Sequence, residues 1–140
     1  MNSESAIRLL QGRGHRMTPA RRFIVTALCE ASSPVSALDL LKDLDKHKLH
    51  SNKTTVYREF SFLEKQGLIR GIDFGDGTKR YEIASDHHHH HLICTGCGKV
   101  EDVELEHDVE EEGVRLGTAK GFKITGHSLE FFGKCKNCQH

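Results

Sequence analysis

Apolar residues recur at helical spacing through the first half of the chain. Ala6, Ile7, Leu9 and Leu10 mark one face of a short amphipathic helix over residues 3–13, stopped by Gly14. Thr18-Pro19 is a helix start, with threonine as N-cap and proline at the first helical position. Ile24, Val25, Leu28 and Cys29 give that second helix its buried stripe. Ser33-Pro34 predicts a turn, and Ser36 caps a third helix with the stripe Leu38, Leu41 and Leu44. After a polar link over 45–50, a fourth helix begins near Ser51-Asn52 and runs to about Gln66, with Gly67 as its stop. Val56, Phe60 and Leu63 form its apolar face, which leaves Lys53, Thr54, Thr55, Tyr57 and Arg58 on or beside the open face of its first half. Residues 68–72 and 79–83 read as two strands joined by the glycine-rich turn Gly75-Asp76-Gly77.

Past Ser85-Asp86 the pattern changes. Leu92-Ile93 and the segment from Val100 to Leu105 predict strands, and residues 107–119 predict an acidic helix with Val109, Leu116 and Ala119 inward. The stretch from Phe122 to Phe132 alternates loosely and predicts another strand. The fold class is therefore α+β. An N-terminal winged helix-turn-helix domain (1–84) precedes a small α/β dimerisation domain (85–140) with a four-cysteine zinc site. A second domain of about 55 residues is too small to be stable by its apolar core alone, so a structural metal and a dimer partner are both expected.

In a winged helix the recognition helix enters the major groove of DNA and the hairpin touches the backbone. Arg58 is placed to meet a base edge or a phosphate, while Arg16, Lys53, Lys79 and Arg80 would supply phosphate contacts that fix register. The competing reading is a protein-binding winged helix whose charges are a solvated face. Charge distribution favours DNA. The 140 residues carry no net charge, yet residues 1–84 hold 14 Lys/Arg against 10 Asp/Glu and residues 85–140 hold 6 against 10. The first 25 residues contain five arginines and no continuous apolar block, so no secretory signal is expected. No stretch approaches the roughly 18 apolar residues of a membrane span. The expected location is the cytoplasm, with no membrane partner and with thiols kept reduced.

Four of the five cysteines form two Cys-x-x-Cys pairs, Cys94/Cys97 and Cys135/Cys138. Two intervening residues let both sulfurs of a pair reach one ion, and four thiolates make a closed tetrahedral zinc site that is structural rather than catalytic. The 37 residues between the pairs must form a βαβ excursion that zinc closes at its base. Redox activity of either pair is the minor alternative, and Cys29 reads as a small core residue. Five consecutive histidines, His87 to His91, lead into the first knuckle. An affinity tag is one explanation of such a run, but this run is internal and continuous with a strand. Strand side chains alternate faces, so His89 and His91 point one way and His88 and His90 the other, with His87 left to solvent. Such alternation lets one run feed two different metal sites.

Several of these segments together carry a resemblance: Thr54-Thr55-Val56-Tyr57-Arg58, Tyr81-Glu82, the histidine run into Leu92-Ile93-Cys94-Thr95-Gly96-Cys97-Gly98-Lys99-Val100, and His127-Ser128-Leu129-Glu130 with Gly133 before the last cysteine pair. The chain resembles the ferric uptake regulator family across roughly residues 8–138. The resemblance implies a dimeric, metal-dependent repressor that binds a double-stranded DNA operator. It assigns Cys94, Cys97, Cys135 and Cys138 to structural Zn2+. It assigns Glu82, His89, His91 and Asp102 to a regulatory site at the hinge, and His88, His90, Glu110 and His127 to an additional site. Glu110 enters that set through a one-residue length difference placed between Asp102 and Val109. Arg16, Tyr57 and Arg58 match DNA-contacting positions, to which the open face of the fourth helix adds Lys53, Thr54 and Thr55. One departure stands out. The family's further regulatory histidine, just before the third helix, aligns with Pro34, which leaves His15, His47 and His50 as possible substitutes or a site of four ligands.

Two nitrogens and two carboxylates would accept Fe2+, Mn2+ or Zn2+. Zinc-sensing relatives often use a cysteine here, and peroxide-sensing relatives carry an aspartate where Glu82 stands. Both comparisons tilt towards iron and control of metal-uptake genes, with zinc sensing as runner-up because some zinc sensors also have a five-histidine run. Of other classes, a zinc-dependent hydrolase or deaminase would need an open coordination position and a carboxylate base such as Glu82 or Glu110. No His-Glu-x-x-His or deaminase signature is present, and the basic winged half would have no task, so no enzymatic activity is expected. A zinc scaffold for other proteins would lack salt-dependent retention on DNA.

Overall fold

The structure, a computed structural model, describes residues 1–85 and 89–139. The chain divides into two compact units, Met1–Asp86 and His87–His140.

The first unit is four helices and a three-stranded sheet. Each helix start is fixed by a local cap. The Asn2 side chain accepts from the Ser5 amide at the start of α1 (Ser3–Gly12), and Thr18 accepts from the Arg21 amide at the start of α2 (Pro19–Glu30). Ser36 and Asp39 form a reciprocal capping box on α3 (Ala37–Lys46), and the Asn52 side chain caps α4 (Lys53–Lys65). Strands β2 (Ile69–Asp73) and β3 (Lys79–Ile83) are an antiparallel hairpin. Gly75 and Gly77 both adopt positive φ in its turn, which is why glycine recurs there. A two-residue strand, β1 (Val35–Ser36), pairs with the far edge of β3 and gives the order β1-β3-β2.

Leu10, Ile24, Leu40, Leu44, Val56, Phe60 and Leu63 form the fully buried centre of this unit. Phe60 stacks on Tyr81 with ring centroids 4.1 Å apart, which fastens α4 to β3. Burying each such side chain contributes about 1.5–3 kcal/mol. Cys29 packs half-buried against this core, as its sequence context predicts. The stripe of α3 differs from expectation. Ala37, Leu40 and Leu44 face the core, Leu41 lies at its margin and Leu38 is exposed. Helical spacing fits either set of leucines, and packing in the core selects the one that buries Leu40 and Leu44.

The second unit is a three-stranded sheet of order β5-β4-β6 with one helix. Strands β4 (His90–Cys94) and β5 (Val100–Val103) are antiparallel, whereas β4 and β6 (Glu130–Gly133) are parallel. A parallel neighbour requires a crossover, supplied by α5 (Val109–Lys120). The predicted strand from Phe122 to Phe132 is regular only from Glu130, and β5 ends at Val103 rather than Leu105. On α5, Leu116 and Ala119 are exposed, and the buried position is Gly117. A Cβ there would lie 2.6 Å from the Phe122 carbonyl oxygen and 2.7 Å from Ile124 Cγ1, so the returning chain packs directly on helix backbone. Among the described residues of this unit, Ile93 and Cys94 are the buried apolar ones, while Leu92, Val114, Leu116, Phe122, Ile124, Phe131 and Phe132 are exposed. Among the described residues no helix is long and apolar enough to cross a membrane.

Candidate metal centres and nucleic-acid face

The end of β4 delivers Cys94, and a tight turn delivers Cys97. The turn is closed by Gly98 N–H donating to the Cys94 carbonyl at 2.9 Å, with Gly98 at positive φ. Thr95 N–H donates to the Gly133 carbonyl at 2.8 Å, which anchors the turn to the end of β6. Just beyond, a 3-10 turn (Lys136–Cys138) carries the second pair. The four sulfurs lie within 4.8 Å of one another, and Cys97 and Cys135 are 3.7 Å apart. Zinc–sulfur bonds of about 2.3 Å in a tetrahedron require sulfur separations of about 3.8 Å. Four sulfurs at this spacing fit zinc and leave it no open position.

The electrostatics agree. Backbone N–H groups of Cys135 and Cys97 point at Cys94 Sγ and hold its pKa down at about 5, the Cys135 bond measuring 3.3 Å. The Cys138 thiol is pushed up to about 12 by the three sulfurs around it. Amides thus prepare one thiolate, and a cation is needed to deprotonate the last. A Cβ at Gly96 would sit 3.0 Å from Cys138 Sγ, closer than ordinary contact, so glycine keeps the turn clear of the second cysteine pair.

The histidines occupy the entry to β4. The His89 and His91 rings are neighbours, with centroids 5.0 Å apart. His91 is buried and stands directly opposite Asp102 in the β4/β5 ladder, its Nε2 3.6 Å from Asp102 Oδ1. On the other side of the strand, His90 lies 5.4 Å from the His127 ring. His90 Nδ1 is 3.1 Å from the Leu129 carbonyl. A carbonyl only accepts, so Nδ1 carries the proton and Nε2 keeps a lone pair for a metal. Glu110 lies exposed in the first turn of α5, its amide capped by Asp108 Oδ1 at 2.8 Å. His87 and His88 lie outside the described residues, as does any account of the additional site through His88. Glu82 stands on β3 of the first unit, where Arg70 Nε and Nη2 both donate to its Oε1, at 2.8 and 2.7 Å.

Helix α4 presents Lys53, Thr54, Tyr57 and Arg58 to solvent, with Thr55 half-buried. Thr54, Tyr57, Arg58, Ser61, Phe62 and Lys65 line a shallow groove along it. Sequence reasoning missed what holds this helix in place. Arg21 on α2 forks onto both oxygens of Glu59 at 2.8 and 3.1 Å, and its guanidinium lies 4.0 Å above the Phe62 ring. A pair 38 residues apart leaves no local trace in the sequence. Arg16 is exposed, and its carbonyl accepts from Arg21 Nη1 at 2.8 Å. The hairpin cations are largely compensated. Lys79 pairs with Glu64 at 3.4 Å, and Arg80 forks onto Asp76, whose pKa it lowers. The two therefore add less positive field than their charges suggest. Pro34 is buried immediately before β1. His15 packs edge-on against Phe62, His47 packs on Phe23 with Nδ1 2.8 Å from the Asp43 carbonyl, and His50 lies 3.7 Å from Asp45.

The sequence pattern described as the ferric uptake regulator family matches residues 12–132. The zinc uptake regulation protein of Mycobacterium tuberculosis is 33% identical over 126 residues, covering 90% of this chain and 96% of that protein. Among solved structures, the Helicobacter pylori ferric uptake regulator, described with three functional metal binding sites, superposes with a TM-score of 0.74 at 27% identity and covers 99% of this chain and 92% of its own. A zinc uptake regulator complexed with zinc and DNA superposes with a TM-score of 0.76 at 26% identity, covering 97% and 91%.

Proposed function

Because the chain belongs to the ferric uptake regulator family, we propose that it is a metal-dependent repressor that binds a double-stranded DNA operator as a homodimer in the cytoplasm. The observation that carries this reading is the pairing of His91 with Asp102 across one strand ladder, with the His89 ring beside it. Those three side chains gather at the start of the strand that ends in the zinc knuckle. We take Glu82, His89, His91 and Asp102 as the regulatory set, and His88, His90, Glu110 and His127 as the additional set. Cys94, Cys97, Cys135 and Cys138 hold structural zinc. The protein is a regulator and not an enzyme.

A bound divalent ion supplies charge that four donors share. The chain's own residues do the rest. His91 is desolvated and ordered by its strand, Asp102 opposes it, and Arg16, Lys53, Thr54, Thr55, Tyr57 and Arg58 are the DNA-contacting set. The exposed apolar residues of the second unit support the homodimer, since a partner would cover them. Moving the operator-competent population from 1:99 to 99:1 takes about 5.5 kcal/mol of differential metal affinity. Mixed nitrogen and carboxylate donors admit Fe2+, Mn2+ or Zn2+, and the absence of the cysteine that zinc-sensing relatives often use at this site tilts the reading to Fe2+ as corepressor. Zinc is the second reading, favoured by the zinc-regulator relative at 33% identity.

The test uses duplexes selected from a random pool by the Mn2+-loaded protein. His89→Ala combined with His91→Ala is expected to abolish the metal dependence of DNA binding while leaving one zinc per chain. Arg58→Ala should weaken binding about tenfold or more with zinc content and dimerisation intact. Unchanged metal dependence in the histidine variant would remove the regulatory assignment.

A further inference from the structure

We propose that Arg70 is a built-in counter-cation for Glu82 and sets the metal concentration at which the regulator responds. This rests on Glu82 being a ligand of the regulatory ion. Arg70 and Glu82 face each other in the β2/β3 register. Both guanidinium donors converge on one oxygen, Oε1, at 2.8 and 2.7 Å. The Glu82 side chain is 15% exposed and that of Arg70 35%, so water screens the pair incompletely.

A divalent ion that recruits Glu82 meets one oxygen already occupied by a cation. It must share the carboxylate with the guanidinium, or it must displace Arg70. Sharing puts like charges on one carboxylate, and displacement breaks the Arg70–Glu82 pair, so in either case Arg70 opposes metal binding. The neighbouring cations do not serve this purpose, because Lys79 pairs with Glu64 and Arg80 with Asp76. Pinning the hairpin is the purely structural alternative, but five residue pairs and the Phe60–Tyr81 stack already hold β2 and β3 in place. Arg70 is therefore a positioning residue that withholds Glu82 until metal is abundant.

The experiment measures Mn2+ affinity of the full-length, zinc-loaded protein by competition with a fluorescent chelator. Arg70→Gln is expected to bind Mn2+ about tenfold more tightly, or about 1.4 kcal/mol. Arg70→Lys, which keeps the charge and loses the fork, should fall between the two and decides the matter should the glutamine variant not fold. Glu82→Gln should weaken binding, and adding Arg70→Gln to it should produce no gain. Loss of a merely structural contact would lower the urea midpoint without tightening Mn2+. Should Glu82→Gln leave Mn2+ affinity unchanged, the ligand assignment fails and the inference goes with it. If Glu82→Gln weakens binding but removal of the Arg70 charge does not strengthen it, the ligand assignment stands and the role of Arg70 is overturned. A gain that persists in the Glu82→Gln background overturns it as well.

Discussion

Replacing Cys138 with serine removes one of four sulfurs from the site that closes the second unit. Cys97 and Cys135, 38 positions apart, mark the loop that the site ties together. In the chain-entropy treatment of cross-links, closing a loop of that length is worth about 4 kcal/mol at 25 °C. A unit of 54 residues has a total stability of only about 3–8 kcal/mol. Its buried apolar residues, among those described, are Ile93 and Cys94, so little else replaces the loss. Cys138→Ser should therefore abolish the hydrogen-exchange protection of the β4 and β6 amides and release zinc to a chelator. The first unit has its own core around Phe60 and should keep protection in α2 and α4. If the β4 and β6 amides of the variant stay within about 1 kcal/mol of the unsubstituted protein, the metal is not what holds the second unit together.

Gly117→Ala pits a gain in helix propensity of about 1 kcal/mol against a Cβ at 2.6 Å from the Phe122 carbonyl oxygen. Overpacking costs about 1–3 kcal/mol, so net destabilisation of the second unit is expected in thermal unfolding, and a stabilised variant would contradict the packing. Burial raises the pKa of Tyr81 above its ordinary value. Its contribution to stability is complete below the unfolded phenol's pKa, near 10, and is lost as pH rises through the higher folded value. Tyr81→Phe should flatten the alkaline fall in stability of the first unit, read as urea midpoints from pH 8 to 11.

Much of the first unit is legible in sequence because its signals are local. Thr18, Ser36 and Asn52 cap helices within three residues of themselves, and Gly75-Asp76-Gly77 turns the hairpin. The zinc cluster is legible for a related reason, since the spacing of each pair is itself the chelate geometry. The buried face of α3 is not legible, because Leu38, Leu40, Leu41 and Leu44 offer two stripes and only tertiary packing selects one. The second unit defeats pattern reading from 122 to 129, where Phe122 and Ile124 face outward and apolar character no longer marks a buried strand. Arg21–Glu59 and Arg70–Glu82 join residues 38 and 12 positions apart, which no local window connects.

The central claim, that occupancy of a site containing His89, His91 and Asp102 governs operator binding, has one direct measurement. Zinc-loaded, otherwise metal-free protein is titrated anaerobically with Fe2+, and in parallel with Mn2+ and Zn2+, while its affinity for a selected duplex is recorded at fixed salt. The account predicts weak, salt-sensitive binding without added metal and a saturable gain of tenfold or more with Fe2+. Equal affinity with and without all three ions would contradict it.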